Sequence, residues 1–74
     1  MPKHIASEVA ESLRLRIESG EWSASCRLPT ERVLASEYRV ARNTIRRAID
    51  AIVLDGRVTR HVGRGTFLNT EARD

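Results

Sequence analysis

The chain has 74 residues, room for one small domain and no more. Charged residues make up 31% and hydrophobic ones 41%, a globular rather than a disordered balance, and a single Trp, Tyr and Phe leave the core to Ile, Val, Leu and Ala. The net charge of +3 is uneven, with nine basic and four acidic side chains in residues 27–68 against three and four in residues 1–26, so the second half suits a polyanion.

Ile5, Val9, Leu13 and Ile17 recur every four residues with Ala6 and Ala10 beside them. This spacing predicts a helix over 4–19 with one apolar face, stopped by Gly20, which accepts the left-handed conformation without steric cost. Trp22 is expected as a lid over that helix. The segment SASCRLPTER is a connector: Pro29 is excluded from a helix interior, and Thr30 is a good N-cap. A short helix over 30–38 follows, then a turn at Arg39-Val40.

The clearest periodicity comes next. Ile45, Ala48, Ile49, Ile52 and Val53 fall at i, i+3, i+4, i+7 and i+8, predicting a helix over 41–55 that stops at Gly56. Asn43, Thr44, Arg46, Arg47 and Asp50 occupy its other arc, with Arg42 at the leading end. Beyond Gly56 the pattern becomes β-rich. Residues 57–69 are expected as a two-stranded hairpin around Gly63-Arg64-Gly65, with a short third strand near Arg27. Residues 69–74 form a polar tail or the start of a linker. The fold class is mainly α with a small β-hairpin.

Arginine at the start of the third helix needs a reason, because a helix N-terminus disfavours cations. Two helices joined by a tight turn, the second opening with Arg, Asn and Thr, resemble a helix-turn-helix. Such a helix enters the major groove N-terminus first, where phosphate attraction outweighs a dipole term of only about 0.3–1 kcal/mol. Arg grips guanine O6 and N7, and Asn grips adenine N6 and N7. Arg42, Asn43 and Arg46 supply that chemistry, and Thr44 suits a phosphate or a thymine methyl. After such a motif, the Gly63-Arg64-Gly65 turn is a DNA-contacting wing, since narrow minor grooves attract an inserted Arg.

Other classes find little support. Cys26 is alone, which excludes an intrachain disulfide, and has no neighbouring His or Asp to activate it. His4 and His61 are far apart in sequence and lack a carboxylate set at ligand spacing, so no enzyme, metal site or cofactor is expected. A winged helix serving as a protein-interaction module would not need a donor-rich third helix. No apolar run approaches the roughly 20 residues of a membrane span, and no signal peptide opens the chain, so no membrane partner is expected and the compartment is cytoplasmic.

The run RLPTERVLASEYRVARNTIRRAIDAIVLDGRVTRHVGRGTFL resembles the DNA-binding domain of GntR-family bacterial transcription regulators. The shared landmarks are Arg-Leu-Pro-Thr-Glu-Arg, Leu-Ala, the Arg-Asn-Thr-Ile-Arg segment and Gly-Arg-Gly-Thr-Phe. The resemblance implies a winged helix-turn-helix over residues 1–69, with 41–55 in the major groove and the wing tip 62–65 at the minor groove. It implies DNA contacts by Arg32, Arg42, Asn43, Thr44, Arg46, Gly63, Arg64 and Gly65. It further implies a double-stranded palindromic operator bound by a homodimer of the full-length protein, and a function as a repressor. Residues 70–74 would begin a linker to a C-terminal domain, absent from this chain, that binds a small-molecule effector. Three positions depart from the family pattern. Ala41 lacks a capping side chain, worth about 1 kcal/mol; Arg39 stands where Gly is common; and Ser23-Ala24-Ser25 replaces a common Pro-Pro-Gly.

Overall fold

A computed structural model of the chain describes residues 5–69. Its elements are α1 (Ile5–Ser19), α2 (Glu31–Tyr38), α3 (Arg42–Leu54), β1 (Val58–His61) and β2 (Gly65–Leu68). This is the winged helix-turn-helix expected from the sequence. Residue 4 and the proposed linker 70–74 lie outside the described residues. Thr30 is the N-cap of α2 and not its first residue: its Oγ1 accepts from the Val33 N–H at 3.2 Å. Ala41 precedes α3 without a side-chain cap, as its methyl requires. Asp55 lies just past the last helical turn.

α3 is the spine, packing against α1, α2 and β1. Its buried residues are Ile45, Ala48, Ile49 and Ile52, the i, i+3, i+4, i+7 stripe. Val53 lies on the flank, half-buried. Around the stripe gather Val9, Ala10 and Leu13 from α1, Leu34 and Ala35 from α2, Val58 from β1, and Trp22 and Leu28 from the connector. This burial is the main favourable term for a domain with so few aromatic side chains.

The connector turns tightly without Pro-Pro-Gly. Ser23 donates from Oγ to the Gly20 carbonyl at 3.0 Å, and the Cys26 N–H reaches the Trp22 carbonyl at 2.7 Å. Cys26 itself adopts φ 59°, the left-handed region a glycine would fill more cheaply. Arg39 does the same between α2 and α3, at φ 61° and ψ 47°, with its N–H on the Ala35 carbonyl. The third strand is reduced to a single antiparallel bridge, Arg27 to Phe67. It is flanked by bonds from the Leu28 N–H to the Thr66 carbonyl and from the Leu68 N–H to the Cys26 carbonyl, both 2.9 Å.

β1 and β2 pair antiparallel from Val58 opposite Leu68 to His61 opposite Gly65. One polar hub joins α1, the connector and α2. The Arg16 guanidinium donates to both Glu21 carboxylate oxygens at 2.8 and 2.6 Å and to the Tyr38 hydroxyl at 2.9 Å. It also pairs with Glu37 at 3.1 Å and lies 4.6 Å from the centre of the Trp22 ring. The Glu21 bond, more than any other contact, raises the Arg16 pKa above its ordinary value. In return Arg16 holds the Glu21 carboxyl below its ordinary 4.5. A depressed carboxylate contributes stability above its unfolded pKa and loses it as pH falls through the folded value. The urea midpoint of the parent chain should therefore drop more steeply with acid below pH 4.5 than that of Glu21→Gln. Parallel acid profiles would show that the pair adds nothing.

Candidate nucleic-acid interface

The α2–turn–α3 corner and the wing share one side of the molecule. Between them runs a cleft of about 340 Å³, bordered by Arg32 at the start of α2, Arg42 at the start of α3, Arg27 and Pro29 on the connector, and the wing backbone at Gly63 and Gly65. Of the residues expected to contact DNA, Arg32, Arg42, Gly63 and Gly65 meet there. Asn43 and Arg46 lie exposed on α3 beside it, Arg64 is exposed at the wing tip, and Thr44 is half-buried. Thr44 is thus the least accessible of the four helix positions.

Local sequence explains the display. The apolar stripe of α3 turns Asn43, Arg46, Arg47 and Asp50 outward. The wing turns at Val62-Gly63-Arg64, with Gly63 at φ 77° and the Arg64 N–H on the His61 carbonyl at 2.8 Å. That geometry suits glycine and leaves Arg64 and a fully exposed Val62 projecting.

Arg46 is less free than its exposure suggests. Its guanidinium meets Glu31 at 3.3 Å, which links α3 to the first turn of α2. Arg60 crosses from β1 to pair with Asp50 and donates from Nη2 to the Arg46 carbonyl at 3.0 Å. The wing is therefore strapped to the outer face of α3. Sequence reasoning missed this strap. The strand alternation carried the signal, since Arg60 shares a face with buried Val58. Arg27, Arg32, Arg39, Arg42, Arg47 and Arg64 make no ion pair with a described residue. A positive surface without internal carboxylate partners retains its attraction for an external polyanion.

The described residues contain no group of three or more His, Cys, Asp or Glu that could hold a metal ion. No helix among them is long and apolar enough to cross a membrane.

Residues 5–68 match the family profile described as bacterial regulatory proteins, gntR family. The chain is 35% identical over 68 residues to the helix-turn-helix transcriptional repressor NagR of Bacillus subtilis strain 168, covering 92% of this chain and 28% of that protein. It is 36% identical over 66 residues to the helix-turn-helix regulator RB1450 of Rhizobium meliloti strain 1021, covering 89% and 27%. The chain thus spans about a quarter of the length of these relatives. Among solved structures, the N-terminal domain of AraR in the crystal structure with mutant ORR3 superposes with a TM-score of 0.77 at 31% identity. That match covers 86% of this chain and 91% of the other.

Proposed function

Because the chain belongs to the gntR family of bacterial regulatory proteins, which are DNA-binding transcription regulators and not enzymes, we propose that it reads an operator. α3 lies in the major groove and the wing tip at the adjacent minor groove. One observation carries this reading: Arg32, Arg42 and the wing glycines converge on a single cleft, flanked by exposed Asn43, Arg46 and Arg64. Asn43 and Arg46 read base edges, Arg32 and Arg42 contact phosphates or bases, Thr44 takes a neighbouring phosphate, and Gly63, Arg64 and Gly65 approach the minor groove.

In this reading residues 1–69 are the DNA-binding unit, and 70–74 lead toward an effector-binding domain that also dimerises. The greater length of the relatives supports such a domain. Two copies then face the half-sites of a palindrome. NagR is named a repressor, and repression is the mode assigned here. The compartment is the cytoplasm, where chromosomal DNA is reached.

The test is binding of the chain to short duplexes by fluorescence anisotropy over a salt series. With several arginines on phosphates, log K should fall steeply with log salt, by about 0.9 per contact. A single half-site reader should reach only about micromolar affinity at physiological salt. Binding that ignores salt would contradict the reading.

A further inference from the structure

Arg27 lies on the connector, outside α2, α3 and the hairpin, yet it belongs to the wing. Its guanidinium sits 5.6 Å from the centre of the Phe67 ring, and its backbone bridges that residue. The side chain runs across Gly65 so closely that a Cβ there would fall 3.0 Å from Nε and 3.2 Å from Nη2. Gly65 also holds φ 119°, a backbone conformation that favours glycine at this position. The exposed Arg27 thus rests its guanidinium beside an aromatic ring and a bare backbone. Arg27 borders the same cleft as Arg32 and Arg42. Arg60 borders it too, but is committed to Asp50.

We infer that Arg27 is a phosphate-binding residue: docked on the wing, it grips a DNA backbone phosphate that enters the cleft between α3 and the hairpin. The inference rests on the DNA-binding reading above. A guanidinium resting beside Phe67 and Gly65 at the cleft has planar donors that match two phosphate oxygens. Arg32 and Arg42 border the same cleft and outnumber Glu31, the one carboxylate among the described residues along it, so its net field is positive. The cleft thus joins the surface facing the major groove to that facing the minor groove through the sugar-phosphate strand between them.

The experiment measures the salt slope of binding to one short mixed-sequence duplex for the parent chain, Arg27→Gln, Arg27→Lys and Arg14→Gln. Arg14 pairs with Asp55 at the far end of α3, so its variant removes the same unit of charge away from the cleft. Arg27→Gln should flatten the slope by about 0.9, the loss of one phosphate contact. Arg27→Lys should keep the parental slope, and so should Arg14→Gln. Thermal unfolding of each variant shows whether the wing is still folded. An unchanged slope in folded Arg27→Gln overturns the inference while leaving the parent reading intact. Equal flattening by Arg27→Gln and Arg14→Gln also overturns it, because net charge alone would then suffice. A parent chain that binds no duplex sinks both.

Discussion

Replacing Ile49 by alanine should cost about 2–5 kcal/mol of stability. Ile49 is fully buried in the cluster drawn from all three helices, the connector and β1, so the space it vacates has packed neighbours and no water to fill it. At about 0.05–0.15 kcal/mol per residue, a domain of this size holds roughly 4–11 kcal/mol in all. One methyl-rich side chain therefore carries a large share, and the variant should be partly unfolded at 37 °C. Leu54→Ala, on a residue that is 88% exposed, should change stability by less than about 0.5 kcal/mol. Urea melts followed by circular dichroism measure both. An Ile49→Ala cost under about 1 kcal/mol would mean that the core collapses into the gap and that α3 is not the spine described above.

Replacing Arg46 by alanine should cost about 1–3 kcal/mol of operator affinity and relax the base preference at one position of each half-site. Glu31, 3.3 Å away, orients the Arg46 guanidinium before DNA arrives, which favours a directional contact to a base edge. Arg64 has no such partner among the described residues and projects from a glycine-flanked tip, where the minor groove offers a degenerate pattern. Its replacement by alanine should weaken all duplexes evenly and reduce the salt slope by roughly one. Selection from random duplexes, with each variant fused to a dimerising partner, separates the two roles. Preserved preferences in Arg46→Ala beside altered ones in Arg64→Ala would exchange the assignments.

The helices and the hairpin were legible because their causes are local. The 45–48–49–52 stripe, the Thr30 cap, and glycines at 20, 56 and 63 each act within a few residues. Arg42, Asn43, Thr44 and Arg46 stand out as DNA candidates because they open a helix with chemistry that a core does not need, whereas Arg32 is a candidate only through the family resemblance. The rest depends on closure. Arg27 meets Gly65 and Phe67 across almost forty positions, Arg46 meets Glu31 across a turn, and Arg60 finds Asp50 only once β1 folds back on α3. No helical or strand period links those pairs. The connector was obscure for another reason: Cys26 takes a left-handed conformation that side chains rarely announce.

The strap from Arg60 to Asp50 and to the Arg46 carbonyl has a mechanical consequence. A wing free to swing would adjust to any duplex, and its flexibility would absorb local variation in groove geometry. A wing fixed to the outer face of α3 presents two probes at a set angle and spacing, like the jaws of a caliper. If α3 and the wing enter adjacent grooves as proposed, the adjustment falls on the DNA, which must twist or narrow until both jaws seat. Stiff steps resist that deformation and pliable ones yield at low cost. On the proposed reading, part of the preference would be written in the elasticity of base pairs that no side chain touches.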